Sequence, residues 1–184
     1  MAVLAMTEAL AWLEAQGLLV PSPNDNGDRG FRVLSRRALS FEDETEFLDY
    51  AAARALPRDL LHPRIAHAAW LSFMRGDYAM SVFGAMREVE IAVREGAGFA
   101  PGDHGVAMVR RAFHKDNGPL TEAGAGDAEK EAVAALFAGA IGSYKNPHSH
   151  RHVELDAQEA AEIVMLASHL LRIVDARVTS RAGR

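Results

Sequence analysis

The chain has 184 residues, of which 49% are apolar and 24% charged, and its formal net charge is −5. This length supports one domain with a sizeable core and a small appendage. The absence of cysteine excludes a disulfide framework and any metal site built from thiolates. The acidic balance argues against a surface that coats nucleic acid broadly, but it leaves room for a local basic pocket that binds a few phosphates.

The first residues, "MAVLAMTEALAWLEAQ", carry glutamates and lack the basic n-region of a secretory signal. No apolar run in the chain approaches the length that is needed to span a bilayer. The sequence therefore predicts a cytoplasmic protein without membrane contact.

Residues 1–40 are predicted to form a separate small unit. A helix ends at Gly17, and two short apolar runs then flank a turn rich in Pro, Asn, Asp and Gly, which is the signal of a β-hairpin. A helix followed by a hairpin is the second half of a winged-helix module. However, residues 1–40 contain four arginines and four acidic residues, and the helices expected before a recognition helix are not predicted among them. These features favour a structural or partner-binding appendage over DNA contact.

The rest of the chain is predicted to be helical. Residues 41–61 are acidic and then interrupted by proline, which indicates a linker with a short helix. Residues 62–178 are predicted to form a bundle of four main amphipathic helices, and 179–184 a frayed polar tail. Apolar stripes mark the later three helices: Val82, Met86, Val89 and Val93; Val133, Leu136, Phe137, Ala140, Ile141 and Tyr144; Ile163, Ala167, Leu170, Leu171 and Val174.

The helix ends carry recognisable signals. Pro63 suits the first position of the first main helix. Asp127 is a predicted N-cap, and Asp156 and Glu159 have the spacing of a capping box. Glycines follow two of the helices, Gly76 after the first and a pair after the second (Gly96 and Gly98).

The stretch "SYKNPHSHRH" (143–152) holds the residues with the strongest chemistry. The residue before a proline avoids the α region, so the preceding helix is expected to end near Tyr144. Asn146 followed by Pro147 is itself a helix start. Lys145 would then lie at a corner between two helices, beside the unpaired N–H groups of a new helical turn. Such a corner is a site for an anion, and phosphate is the obvious biological one.

This constellation suits the cleavage of RNA without a metal. His150 is predicted to be the general base that takes the proton of the ribose 2′-OH. Lys145 is predicted to stabilise the charge on the phosphate and Asn146 to position it. Arg151 and His148 are further candidates for contact with phosphate or RNA. The alternative is that Asn146 and Pro147 only cap a helix and the histidines lie on a solvated surface.

A metal site is the less favoured interpretation of the same stretch. Its alternate histidines (148, 150 and 152) would converge on one ion only in an extended strand, whereas a turn started by proline splays them apart. No helical His-x-x-x-His or Glu-x-x-His motif accompanies them. The sequence therefore predicts no metal and no other cofactor.

Glu90 and Arg94 form a second candidate set. Glu90 is about 70° from the centre of its helix's apolar stripe, at 100° per residue, and so at the edge of the core. Arg94 is four residues further on, the spacing of an ion pair along a helix. A boundary salt bridge is one interpretation. The other is that both residues line the pocket of Lys145 and His150, with Glu90 orienting a base.

The segments "AMSVFGAMREVEIAVRE" (79–95) and "GAIGSYKNPHSHR" (139–151) resemble the Ymh-type branch of the HEPN superfamily. The resemblance covers roughly residues 62–176, and the N-terminal helix and hairpin resemble the winged-helix fragment that precedes this branch. The superfamily motif is an Arg, usually followed by a polar residue, with a His several residues later. The matching positions are Lys145, Asn146 and His150, so lysine stands where the motif has arginine.

The resemblance implies a helical bundle that forms a homodimer, with two Lys145–His150 corners around one phosphodiester. It implies an endoribonuclease in a toxin–antitoxin or antiphage-defence setting, with RNA as substrate and an antitoxin or defence complex as partner. The rival prediction is a non-catalytic regulatory module that binds nucleic acid or protein through its winged-helix-like N-terminal unit.

Overall fold

The structure is a computed structural model that describes residues 2–23, 25–145 and 155–182, and it is mainly helical. The chain divides into two compact units, Met1–Tyr50 and Ala51–Arg184. Each unit has its own secondary structure and is described by itself.

The first unit contains a helix followed by a two-stranded antiparallel hairpin. Helix α1 spans Ala2–Ala15 and ends where Gly17 adopts a positive φ of 68°, a conformation that glycine reaches without strain. Strand β1 (Leu19–Pro21) pairs antiparallel with strand β2 (Arg32–Leu34), with Leu19 opposite Leu34 and Pro21 opposite Arg32. Helix α2 spans Asp25–Asp28, and helix α3, Glu44–Ala55, begins in the first unit and ends after its limit at Tyr50.

The second unit is a helical bundle. After a short 3₁₀ turn at Arg58–Leu60, five α-helices follow within the described residues, and the fourth of them runs on into a π-helical turn. Their bounds are α4 Ala68–Met74, α5 Tyr78–Ala97, α6 Gly105–Ala112, α7 Asp127–Ala140 with the π turn Ile141–Lys145, and α8 Ala157–Ala182.

Helix α5 is the centre of this bundle, because it packs along α8 and also against α4, α6 and the π turn. Its predicted stripe, Val82 to Val93, is fully buried. Asp77 caps its first turn by accepting a hydrogen bond from the Met80 N–H at 3.3 Å, and Gly98 ends it with a φ of 71°. A helix that is so firmly bounded and buried is a rigid base for the side chains on its remaining face.

Other sequence signals are also confirmed. The stripe of α8 is buried from Ile163 to Val174, and Asp156 caps that helix by accepting from the Glu159 N–H at 2.8 Å. The buried phenylalanines Phe73, Phe113 and Phe137 fill the space between the helices. Burial of such rings contributes roughly 2–3 kcal/mol each.

The structure corrects several helix limits. Helix α4 begins at Ala68 rather than at Pro63, because the His62 carbonyl accepts turn hydrogen bonds from the N–H groups of Ile65 and Ala66. The N-cap of α7 is Gly126, so Asp127 lies inside the helix. Helix α8 continues to Ala182, across four residues of the segment predicted to be a frayed tail.

One predicted core residue is on the surface. Leu136 of α7 is 42% exposed, whereas its neighbour Phe137 is fully buried. Helix α7 packs mainly against α6, so the side of the helix that carries Leu136 is left open to solvent.

Candidate functional site

The C-terminal end of α7 changes from α-helical to π-helical at Ile141. The wider turn continues to Lys145, one residue beyond the predicted end at Tyr144. Isolated π turns are rare and are frequently found at functional sites. Ile141 is fully buried and anchors the turn, while Lys145 is its last residue. The irregular turn therefore determines the backbone position from which the Lys145 side chain extends.

The ammonium of Lys145 forms an ion pair with Glu90. Its Nζ lies 3.3 Å from Glu90 Oε2 and 3.4 Å from Oε1. The Glu90 side chain is only 6% exposed and that of Lys145 16%. A carboxylate removed from water to this extent requires a cation or several hydrogen-bond donors, since an isolated buried charge costs several kcal/mol.

A backbone donor completes the surroundings of Glu90. The Gly105 N–H, at the first residue of α6, donates to Glu90 Oε1 at 2.7 Å. Because a helix N-terminus carries partial positive charge, it stabilises a carboxylate at this position. Gly105 has a φ of 75°, where a side chain would strain the backbone. Glu90 therefore joins three elements: its own helix α5, the start of α6 and the π turn.

The predicted ion pair between Glu90 and Arg94 is not formed. Within the part of the chain that the structure describes, Glu90 pairs with Lys145 instead, and Arg94 is half-buried near the end of α5. Glu90 also lies deeper than predicted, because it is 5% exposed rather than at the edge of the core. The structure thus brings Glu90 and Lys145 together and leaves Arg94 out of that contact.

Four predicted site residues lie outside the described residues: Asn146, His148, His150 and Arg151. Lys145 is the last described residue before this segment, and the description resumes at Leu155. The roles assigned to these four residues stay predictions.

Close to this site, Asp103 stabilises the turn that leads into α6. Its Oδ2 accepts from the Ala100 N–H at 3.0 Å, and its Oδ1 lies 2.8 Å from Arg111 Nη2. The hydrogen bond from Arg111 holds the pKa of the Asp103 carboxyl below its usual value. The Arg111 guanidinium also lies 4.3 Å from the centre of the Phe99 ring, a cation–π contact.

His62, which the sequence did not mark as a candidate, is 6% exposed. Its Nε2 lies 2.8 Å from Asp175 Oδ2, and its Nδ1 accepts from the Arg64 N–H at 3.3 Å. The backbone N–H of His62 donates to Ser168 Oγ at 2.8 Å. Because Ser168 contacts the backbone and not the ring, the three side chains are no catalytic triad; they attach the segment before α4 to α8. His62 and Asp175 are 113 residues apart, so no local spacing in the sequence indicates that they pair. The only local signal at this histidine is Pro63, the residue that follows it.

In the ranges 2–23, 25–145 and 155–182, no group of three His, Cys, Asp or Glu side chains is arranged to hold a metal ion. Over the same ranges, no helix combines the length and the apolar character needed to cross a bilayer.

The model of a family described as "Protein of unknown function (Hypoth_ymh)" matches residues 59–174, which include Glu90, Lys145 and the segment after it. No curated protein and no solved structure matches the chain.

Proposed function

Because this chain belongs to the Hypoth_Ymh family, whose model covers its helical bundle, we propose that the bundle is a HEPN-like domain that cleaves RNA without a metal. The observation that carries the proposal is the ion pair of Lys145 with the buried Glu90. It holds a cation at the end of the π turn, where the segment that contains Asn146 and His150 begins. A fixed cation next to a histidine and an amide is what phosphoryl transfer from a 2′-hydroxyl requires.

In the proposed reaction, neutral His150 takes the proton of a ribose 2′-OH. The 2′-oxygen then attacks the adjacent phosphorus, and the bond from phosphorus to the 5′-oxygen breaks. The products are a 2′,3′-cyclic phosphate and a 5′-hydroxyl, whose proton comes from the imidazolium of a second copy of the chain. Lys145 stabilises the negative charge that builds up on the phosphoryl oxygens, and Asn146 donates a hydrogen bond to one of them. Arg151 and His148 contact the flanking phosphates.

Glu90 acts through Lys145 rather than on the RNA. Its carboxylate is held on two sides, by the Lys145 ammonium and by the Gly105 N–H at 2.7 Å. A cation that is held in this way loses little side-chain entropy when a phosphate binds. Arg94 lies one helical turn from Glu90 and serves as a further contact for the RNA backbone.

The proposal is tested by incubating purified protein with a labelled single-stranded RNA in the presence of EDTA. The wild type should cleave it and leave 2′,3′-cyclic phosphate ends, whereas Lys145→Ala and His150→Ala should each lower the rate at least a hundredfold. His67→Ala, which removes a histidine in another part of the bundle, is the matched control. Cleavage that persists in both Lys145→Ala and His150→Ala would contradict the proposed site.

We also propose a setting for this activity: a nuclease that needs two Lys145–His150 corners works as a homodimer in the cytoplasm, under the control of an antitoxin or a defence complex. Size-exclusion chromatography with light scattering should give twice the chain mass. A monomer that cleaves RNA at the full rate would rule out the composite site.

A second candidate function rests on the N-terminal unit. No residue of α1 is buried, and Val3, Leu4, Met6 and Leu10 are each at least 50% exposed. Apolar side chains in such numbers on one short helix favour a partner protein over DNA. In this alternative the winged-helix-like unit binds a regulator and the bundle is not catalytic. The double variant Met6→Glu/Leu10→Glu should then abolish the interaction while His150→Ala has no effect.

A further inference from the structure

A groove lies between the C-terminal end of α6 and the middle of α7, about 340 Å³ in volume. Its apolar lining residues, here called the floor, are Phe113, Ala134 and Ala135, and its polar lining residues, the rim, are Arg110, His114, Lys115 and Glu131. Ligand pockets in proteins commonly have volumes of about 300–1,000 Å³ and combine an apolar lining with a few polar groups. The groove has the size and the lining of a binding site for a small ligand or for one unit of a polymer.

The rim carries two cations, Arg110 and Lys115, against one carboxylate, Glu131. Glu131 accepts a hydrogen bond from Lys115 Nζ at 2.7 Å, and this contact raises the pKa of Lys115. Asp116 lies 3.9 Å from His114 Nδ1 and offsets any charge on that ring. Arg110 forms no ion pair within the ranges 2–23, 25–145 and 155–182, so its charge is not compensated there.

The C-terminal end of α6 contributes a smaller electrostatic potential of negative sign. A helix C-terminus carries roughly half a negative charge. Arg110 and Arg111 lie in the last turn of α6 and each supply a full positive charge. Of these two, Arg111 is engaged by Asp103, so the cation that remains for a ligand is Arg110.

The ring of His114 adds a hydrogen-bond donor to the rim. The Asp116 N–H donates to His114 Nδ1 at 3.4 Å. In the neutral ring the proton is therefore on Nε2, the other nitrogen. His114 lies beyond the last residue of α6, Ala112, but both it and Arg110 line the groove, so one anion bound there can contact both.

We propose that this groove binds a nucleotide, with its phosphate on Arg110 and His114 and its base or ribose on the floor of Phe113, Ala134 and Ala135. The inference rests on the proposed function, because the nucleotide is then part of the RNA strand that reaches Lys145. Ala135 precedes Lys145 by ten residues along α7 and the π turn that continues it, which corresponds to at most about 15 Å at the α-helical rise. The groove would thus hold the same strand at a point a few nucleotides away from the cleaved bond.

The test measures RNA binding separately from cleavage. The probe is a fluorescein-labelled single-stranded decauridine with 2′-O-methyl riboses, which has no 2′-hydroxyl to attack the phosphate, and the readout is fluorescence anisotropy with the full chain over a range of salt concentrations. Arg110→Ala should weaken binding roughly five- to tenfold and lower the slope of log K against log salt by about 0.7, the loss of one phosphate contact. Arg75→Ala is the matched control, since α4, which it follows, packs against α5 and α8.

The outcomes separate this inference from the proposed function. If Arg110→Ala and Arg75→Ala bind the probe equally, with the same salt slope, the groove is not a nucleotide site. If Arg110→Ala weakens binding and Arg75→Ala does not, while the wild type cleaves no RNA, the groove is supported as a nucleotide site and the nuclease proposal fails. A thermal melt of each variant establishes that the fold is kept. His114→Gln retains a hydrogen-bond donor and is a second test variant, for which a smaller loss of affinity for the probe is expected.

A further arm identifies the source of the nucleotide. Adenosine 5′-monophosphate is titrated, in the absence of RNA, into the wild type and into Arg110→Ala. Saturable binding that depends on Arg110 supports a free nucleotide as ligand of the groove, whereas binding of the decauridine alone supports an RNA strand. Failure of both probes to depend on Arg110 overturns the inference.

Discussion

Lys145 Nζ lies 3.3 Å from Glu90 Oε2, so a buried carboxylate of α5 holds the cation at the end of the π turn. The two residues are 55 positions apart in the chain. Because Glu90 also accepts from the Gly105 N–H, the pair connects the predicted phosphate ligand with the start of α6. The position of Lys145 therefore depends on the packing of the whole bundle.

The first prediction concerns the stability contributed by this pair. Glu90→Gln should lower the free energy of unfolding by about 2–3 kcal/mol, because it removes the charge of a buried carboxylate that is paired with a largely buried ammonium. Arg94→Gln, in the same helix, should change it by less than about 0.5 kcal/mol. Urea titration in a Trp12→Phe background lets the fluorescence of Trp70 report on the second unit alone. Equal losses for the two variants would contradict the assigned pairing.

The second prediction compares two glycines of α5. A Cβ at position 96 would lie 2.8 Å from Val178 Cγ2, whereas at position 84 it would have no atom within 4 Å. Valine is stiff in a helix and yields little, so Gly96→Ala should destabilise by about 1–2 kcal/mol. Gly84→Ala should instead stabilise by up to about 1 kcal/mol through its helix propensity. The same urea titration measures both, and a stabilising Gly96→Ala would show that α5 and α8 are less tightly packed there.

The third prediction is a dependence of stability on pH. The Arg111 hydrogen bond lowers the pKa of Asp103 in the folded state, so the charged carboxylate contributes stability above the unfolded pKa and loses it as pH falls through the folded pKa. Wild type should be more stable than Asp103→Asn at pH 7, and the difference should shrink below about pH 4. In an Arg111→Gln background the difference at pH 7 should be smaller. A difference that persists unchanged at pH 2 would mean that the ion pair is not its origin.

The fourth prediction concerns the lysine that stands in the place of the motif's arginine. If Lys145 stabilises charge on a phosphate, Lys145→Arg should keep RNA cleavage within about tenfold, since both cations bind phosphate. Lys145→Met, which retains the length and loses the charge, should lower the rate at least a hundredfold. Single-turnover rates with excess protein separate this effect from RNA affinity. A fully active Lys145→Met would assign the charge stabilisation to another residue.

Local signals in the sequence predicted much of the secondary structure. The stripe from Val82 to Val93 is buried as predicted, and Gly98 and Asp156 bound their helices. Such signals act between neighbours in the chain, over three or four residues, and are therefore visible in the sequence. The predicted start at Pro63 was wrong because a turn around His62 competes with the first helical turn.

The sequence alone identified Lys145 and Glu90 as candidates, from charge, spacing and position near a proline corner. Only the tertiary structure decided that they pair with each other and not along one helix. The same holds for His62 and Asp175, and for the exposure of Leu136. The physical reason is common to all three: a buried charge takes whichever counter-charge the packed helices bring within reach, and a helix face is buried only where another helix covers it.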